Sequence, residues 1–217
     1  MKIFGKNIKN DKILSSRKKT LSDPRVILNL SAKDYREDFI IIATELMEES
    51  AGSISKFIIN DSNKEVINQY YYYLTGDNRF KGDLNKGIML IGPYGTGKTT
   101  LIKIISQLIF KHSNKVFHFT SCVNLPDNIK HHGLEYYVRR PLILDEIGRE
   151  SKVVKDYGTE RRLFPEILSL RYNTRAWTFG TSNYNFEDLG EMYGGYIKDR
   201  MQEMFNFIEL NGKSFRL

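Results

Sequence analysis

The sequence predicts an α/β fold in which helices flank a parallel β-sheet, and two features carry this prediction. From Lys86 onward, short apolar runs alternate with segments whose apolar residues recur at helical spacing, as in parallel strands joined by crossover helices. One of these runs leads into a glycine-rich loop, and another ends in two adjacent carboxylates. The 217 residues, 41% apolar and 27% charged, suffice for a packed core and do not suit a disordered chain.

The chain begins with a strongly basic segment. Residues 1–25 carry eight lysines and arginines against two aspartates, a net charge of +6, whereas the whole chain carries +7. This segment also has few large apolar side chains. We therefore expect residues 1–30 to form a flexible basic arm, which is either a solvated tail or a contact for nucleic acid or an acidic partner.

Residues 31–85 are expected to form a small helical N-terminal region. The acidic segment Ser31 to Ser50 predicts one helix, and Asn63 to Leu74 predicts a second, with Gly76 as the stop after Leu74. At the start of the second helix, Ser62 and Glu65 have the spacing of a capping box.

The second helix carries four consecutive tyrosines, Tyr70 to Tyr73. Four consecutive residues cover every side of a helix, so the rings cannot all face one core. We expect them to pack mainly against the neighbouring core, with docking to a partner or stacking on a base as the alternative.

Residues 86–217 are expected to form the core, with five strands in a parallel sheet. The predicted strands are Ile88 to Ile91, Val116 to Phe119, Leu142 to Leu144, Ala176 to Thr181 and Phe205 to Leu210. Pro165 predicts a helix start or a kink between the third and fourth strands. Because the fifth strand closes the chain, no C-terminal lid domain is expected.

The loop after the first strand is the strongest signal. Gly92 to Thr99 reads GPYGTGKT and matches G-x-x-x-x-G-K-[ST] at every fixed position. Its glycines let backbone N–H groups surround phosphate oxygens, Lys98 supplies a charge to the β- and γ-phosphates, and the Thr99 hydroxyl ligates Mg²⁺. The predicted nucleotide contacts are Gly92, Pro93, Tyr94, Gly95, Thr96, Gly97, Lys98, Thr99 and Thr100.

The third predicted strand ends in Asp145 and Glu146. The carboxyl ends of parallel strands share one edge of the sheet, so both carboxylates should lie beside the phosphate loop. There Asp145 suits Mg²⁺ and Glu146 suits a base that polarises the attacking water. This pair favours hydrolysis over a small-molecule kinase, which needs no such base for water.

The nucleotide is expected to be ATP, because the guanine-reading pattern N-K-x-D is absent from the chain. The longest apolar run, Phe39 to Ala43, is far shorter than the ~20 residues of a membrane-spanning helix. One cysteine and four histidines give no paired zinc-ligand spacing. We therefore expect a soluble, cytoplasmic protein with no structural zinc and no membrane partner.

From Lys86 to Leu217 the chain resembles the DnaC-type helicase loaders and the related IstB-type transposition ATPases, both of the AAA+ class of P-loop NTPases. The resemblance is carried by three motifs in order. They are KGIMLIGPYGTGKTT at residues 86–100, LILDEIG at residues 142–148 and GTSNYNFEDL at residues 180–189. The ending is also similar, with YIKDRM at residues 196–201 and GKSFR at residues 212–216.

The resemblance implies roles that spacing alone does not. It implies that Asn183 is a sensor that orients the attacking water beside Glu146. Arg200 falls at the family's arginine-finger position, which reaches the γ-phosphate bound by a neighbouring subunit. Arg216 falls at the second-sensor position, which acts on the nucleotide of its own subunit.

The function that the resemblance implies is ATP-driven remodelling or loading of a replicative helicase during DNA replication. It implies a homo-oligomer with shared ATP sites, ATP and Mg²⁺ as cofactors, and single-stranded DNA as a further partner. Two alternatives stay open at this point. The chain could be a helper ATPase of transposition, or a nucleotide-gated binding module with little hydrolysis.

Overall fold

The computed structural model describes residues 25–51, 57–151, 154–156, 159–212 and 214. The helices in this part of the chain are α1 (Ala32–Ala51), α2 (Lys64–Thr75), α3 (Lys98–Ser113), α4 (Leu125–His132), α5 (Leu163–Thr174), α6 (Phe186–Tyr193) and α7 (Gly195–Met204). The strands are β1 (Gly87–Ile91), β2 (His118–Ser121), β3 (Leu142–Ile147), β4 (Val154–Asp156), β5 (Thr159–Arg161), β6 (Thr178–Ser182) and β7 (Phe205–Glu209). Two 3₁₀ turns, Cys122–Asn124 and Leu134–Tyr137, flank α4.

Five strands form one parallel sheet in the order β2-β3-β6-β1-β7, and helices cover both of its faces. Alternate residues of β1 face opposite sides: Ile88 and Leu90 pack with α1, α2 and α3, whereas Met89 packs with α4 to α7. The predicted parallel sheet flanked by helices is therefore confirmed. β1 lies between β6 and the edge strand β7, so the loop that follows it leaves the sheet from an inner strand.

The second strand is shifted from its predicted position. The apolar run Val116 to Phe119 predicts the strand, but β2 begins at His118, opposite Leu142 of β3. Val116 is 56% exposed. An edge strand has a neighbour on one side only, so its pairing does not require a continuous apolar run.

The antiparallel hairpin β4–β5 was not predicted, because its residues are mostly polar.

The cap of α2 also differs from the prediction. Asn63, not Ser62, precedes the first helical residue, and no side chain caps the helix. Ser62 Oγ donates instead to Asn60 Oδ1 at 2.6 Å. Glu65 Oε1 accepts from Lys81 Nζ at 2.8 Å rather than from the backbone. The predicted stop is confirmed, since Gly76 has a left-handed φ of 67° that glycine adopts without strain.

The proline in the fifth helix is placed as predicted. α5 begins at Leu163, so Pro165 lies in its first turn, where a missing backbone N–H costs no helical hydrogen bond.

Two of the four tyrosines of α2 belong to the main core. Tyr70 and Tyr73 are buried and meet the ring of Phe179 in β6 at centroid distances of 6.2 and 6.0 Å. Tyr73 also accepts a hydrogen bond from Trp177 Nε1 at 2.9 Å. Tyr71 and Tyr72 are half-buried, which fits the expectation that four adjacent rings cannot share one face.

Residues 1–24 of the expected basic arm lie outside the described residues. The part that is described, residues 25–30, packs against the rest of the chain. Leu28 and Leu30 are buried, and the Leu28 backbone N–H donates to the Leu74 carbonyl at 2.7 Å. The packed structure therefore begins before the predicted end of the arm.

A cluster of ionic contacts fastens α1 to α3. The Asp38 carboxylate accepts from Lys111 Nζ at 2.7 Å and lies 2.6 Å from His112 Nε2. The hydrogen bond from Lys111 holds the pKa of the Asp38 carboxyl below its usual value, with a smaller contribution from His112. α1 thus packs on the helix that follows the glycine-rich loop.

We expect Asp38→Asn to lower the free energy of unfolding at pH 7 by about 1 kcal/mol, a value limited by the exposure of Lys111. A lowered carboxyl pKa contributes stability above the unfolded-state pKa, which is lost as the pH falls through the folded-state value. The difference between wild type and variant should therefore shrink below about pH 4. Urea unfolding at pH 7 and pH 3.5 measures it, with exposed Asp61→Asn as the control. An undiminished difference at pH 3.5 would contradict the ionic origin.

Candidate nucleotide-binding site

The glycine-rich loop owes its shape to residues with positive φ. Gly92, Gly95 and Gly97 have φ of 147°, 77° and 87°. A Cβ at Gly92 would also collide with the backbone carbonyl of Leu210, directly after β7. Gly97 immediately precedes α3 and offers no side-chain cap. The first backbone N–H groups of α3 therefore point to where an anion can bind, with the positive end of the helix dipole behind them.

Lys98, the first residue of α3, lies inside this loop. It is buried, and its ammonium group donates to the carbonyls of Gly92 at 2.8 Å and Pro93 at 2.7 Å. Thr96 is also buried and its hydroxyl donates to the Pro93 carbonyl at 3.0 Å. The loop is thus closed around one positive charge.

The carboxylate of Asp145 lies next to the Thr99 hydroxyl. Thr99 Oγ1 donates to Asp145 Oδ1 at 3.0 Å, and Thr181 Oγ1 donates to the same oxygen at 2.5 Å. Asp145 is 5% exposed, and this burial raises the pKa of its carboxyl group, although the two hydroxyls oppose the shift. A hydroxyl and a carboxylate that already touch form the hard oxygen set that Mg²⁺ prefers, so these residues fit the ion.

Glu146 adopts an unusual backbone conformation. Its φ is 59°, in the left-handed region that residues with a Cβ rarely occupy. Its backbone N–H donates to Thr181 Oγ1 at 3.0 Å. Its side chain forms an ion pair with Arg149, and Ser121 Oγ donates to its second oxygen at 3.4 Å. Neighbours thus engage both carboxylate oxygens.

A single polar cleft joins these groups. It is lined by Tyr94, Gly95, Gly97, Lys98, Thr99, Thr100, Glu146, Thr181 and Asn183. Among the described residues, the structure therefore brings Asn183 to the same cleft as Glu146. The remaining predicted loop contacts, Gly92, Pro93 and Thr96, do not line this cleft and take part in the internal hydrogen bonds of the loop.

The structure does not bring every predicted residue to this cleft. Arg200 lies on α7, where its guanidinium contacts the rings of Tyr172 and Tyr196 rather than the cleft of its own subunit. Arg216 lies outside the described residues.

Three further residues belong to the site and are not predicted by the sequence motifs: Ser121, Arg149 and Thr181. The signal for Thr181 was its place at the carboxyl end of a strand, one strand away from Asp145 in the sheet. Ser121 ends β2 directly opposite Asp145, so the register of the edge strand would have identified it. Nothing in the pattern distinguished Arg149.

A glycine-rich phosphate loop between a central parallel strand and a helix, with a buried acidic strand beside it, defines a P-loop nucleotide-binding protein. A family model described as "IstB-like ATP binding protein" matches residues 82–217, more than half of the chain. The chain belongs to this family of ATP-binding AAA+ proteins. None of the curated proteins matches the chain.

Solved structures share the fold. The DnaC helicase loader is 22% identical, with a TM-score of 0.57, and the match covers 71% of this chain and 93% of the chain in that structure. A putative primosome component from Streptococcus pyogenes serotype M3 is 21% identical, with a TM-score of 0.57 and coverage of 74% and 85%. DnaI is 24% identical, with a TM-score of 0.55 and coverage of 74% and 87%. No helix within the described ranges is long and apolar enough to cross a membrane.

Burial of Asp145 predicts a conflict between stability and metal binding. Because desolvation disfavours its charge, Asp145→Asn should raise the free energy of unfolding at pH 7 without nucleotide or metal. The same change should weaken Mg²⁺-dependent ATP binding at least tenfold, since a carboxylate ligand is lost.

Urea unfolding in EDTA and titration with a fluorescent ATP analogue, with and without Mg²⁺, measure the two effects. Exposed Asp127→Asn is the control for loss of a carboxylate. A variant less stable than wild type in EDTA would contradict the desolvation argument.

Proposed function

We propose that this chain is a Mg²⁺-dependent ATPase that assembles with copies of itself and remodels or loads a replicative helicase. The observation that carries the ATPase proposal is the arrangement of Glu146 and Asn183 in one cleft with Lys98 and Thr99, whose hydroxyl donates to Asp145. A site made only to hold a nucleotide needs the last three and has no use for a base directed at water.

Each residue has a defined part in the proposed reaction. The loop N–H groups and Lys98 bind the phosphates, and Thr99 and Asp145 would hold Mg²⁺, which neutralises phosphate charge when bound. Glu146 accepts a proton from the water that attacks the γ-phosphorus, and Asn183 orients that water. The bond from the γ-phosphorus to the bridging oxygen breaks, and ADP and phosphate are released. Arg200 of a neighbouring copy stabilises the charge on the transferring group.

The proposal of a helicase as client is supported by the nature of the similar structures. DnaC is named as a helicase loader, and the streptococcal protein as a putative primosome component. The alternative client, a transposition complex, is supported by the name of the matching family model. The same proposal includes single-stranded DNA as a further partner and a cytoplasmic location for the protein.

The engaged carboxylate of Glu146 favours a second candidate function. Arg149 and Ser121 hold both oxygens of the proposed base, so the isolated chain shows a restrained site. A nucleotide-gated binding module would keep this arrangement when ATP is bound and would hydrolyse little.

The first test is ATP hydrolysis as a function of protein concentration, with and without single-stranded DNA. Glu146→Gln should lower kcat by about 10²- to 10⁴-fold, because general-base catalysis contributes that much, while ATP binding is retained. Arg200→Ala should lower it by about 10³- to 10⁵-fold. Exposed Arg139→Ala is the matched control for loss of an arginine.

Specific activity should rise with protein concentration if neighbouring copies complete the site. Equal, negligible hydrolysis by wild type and Glu146→Gln, with intact ATP binding, would favour the gated module. Co-sedimentation tests the client. The protein is mixed either with a purified hexameric replicative helicase or with a purified transposase of the kind that IstB-like proteins accompany, and binding to the two is compared. Binding to the transposase alone would overturn the helicase proposal.

A further inference from the structure

The guanidinium of Arg200 contacts two tyrosine rings of its own subunit. Its central carbon lies 3.5 Å from the ring centroid of Tyr196, one turn earlier on α7, and 4.9 Å from that of Tyr172 on α5. Both distances are well within the range of cation–π attraction. The side chain is therefore held by aromatic faces.

The hydrogen-bonding capacity of Arg200 is largely unused in this position. Its Nε and Nη1 atoms are buried and have no hydrogen-bond partner among the described residues. A guanidinium has five N–H donors, and buried donors without acceptors are costly. Arg200 is thus attracted to the rings, yet it would gain hydrogen bonds in any position that offers anionic oxygens.

The two rings differ in how firmly they are fixed. The Tyr172 hydroxyl donates to Glu203 Oε2 at 2.7 Å, and this hydrogen bond raises the pKa of the Tyr172 phenol. Tyr196 lies at the surface with 65% of its area exposed. Solvent, or a neighbouring protein, can therefore reach the ring that lies nearer to the guanidinium.

We infer that Tyr196 is a positioning residue that holds Arg200 against its own subunit until a neighbouring copy presents a bound triphosphate. This inference rests on the finger role of Arg200 in the proposed function. Phosphate oxygens of the neighbour supply the acceptors that Nε and Nη1 lack, so the arginine exchanges ring contacts for charge-assisted hydrogen bonds. Assembly must therefore work against the attraction of Tyr196.

The inference predicts a gain from removing the ring. Tyr196→Ala should lower the protein concentration for half-maximal ATPase activity by about three- to tenfold, because it removes one cation–π contact from the unassembled state. The maximal kcat should stay within about twofold of wild type, since Tyr196 is not among the residues that line the cleft of its own subunit. Tyr196→Phe keeps the ring and should behave as wild type. Phe110→Ala removes another exposed aromatic ring and controls for surface effects.

A spectroscopic measurement tests the contact without relying on activity. In protein labelled with ¹³C and ¹⁵N at arginine, the Arg200 side-chain signals should be shifted by the ring currents of the two tyrosines. These signals are assigned to Arg200 because they are absent from the spectrum of Arg200→Ala. The shifts should persist in Tyr196→Phe, decrease in Tyr196→Ala, and decrease in wild type at high protein concentration with Mg²⁺ and a non-hydrolysable ATP analogue.

The outcomes separate this inference from the proposed function. If Arg200→Ala leaves kcat unchanged, the finger role itself fails. If Arg200→Ala abolishes turnover while Tyr196→Ala leaves the half-maximal concentration unchanged or raises it, the holding role of Tyr196 fails alone. A raised concentration would mean that the ring serves the interface directly. Ring-current shifts that are equal in wild type and Tyr196→Ala would overturn the inference as well.

Discussion

The hydroxyl of Thr181 is the interaction on which the site depends. It donates to the Asp145 carboxylate and accepts from the Glu146 backbone N–H, so one oxygen fixes both acidic residues. The β3–β6 register shifts between Leu144 and Ile147, which is where these two carboxylates lie. Parallel pairing brings the strand ends to one edge, and this hydroxyl determines how the carboxylates emerge there. The left-handed backbone of Glu146 is stabilised by the hydrogen bond from its N–H to Thr181 and by the ion pair of its side chain with Arg149.

The parts of the fold that the sequence could predict are those with strong local patterns. Buried central strands such as β1 and β3 are nearly continuous apolar runs, and the phosphate loop is specified by its glycines. The edge strand β2 was misplaced, because its position depends on pairing with β3 rather than on its own composition. Likewise, Ser62 has the right spacing for a cap, but the Asn60 side chain takes its hydroxyl.

The same contrast holds for the site: local sequence patterns predict some of its residues, and tertiary contacts position the others. The sequence motifs were enough to predict that Thr99, Asp145 and Asn183 lie together, because each belongs to the carboxyl edge of the parallel sheet. Thr99 begins the helix after the phosphate loop, Asp145 lies near the end of β3, and Asn183 directly follows β6. The partners of Glu146 could not be predicted in this way. Arg149 reaches it across a turn, which no motif indicates. Ser121 reaches it from the edge strand, whose register with β3 depends on tertiary pairing. The surroundings of Arg200 depend on the packing of α5 against α7, which is likewise a tertiary property.

The left-handed conformation of Glu146 also limits how this position can evolve. Glycine adopts positive φ without strain, and asparagine tolerates it better than most residues, whereas β-branched residues do not. Changes to glycine or asparagine would relieve backbone strain while leaving the phosphate loop and Asp145 intact. Lineages that no longer need turnover could therefore keep a stable nucleotide-binding fold through one substitution. In the proposed mechanism, the role of Glu146 as a base offsets the conformational cost of its positive φ.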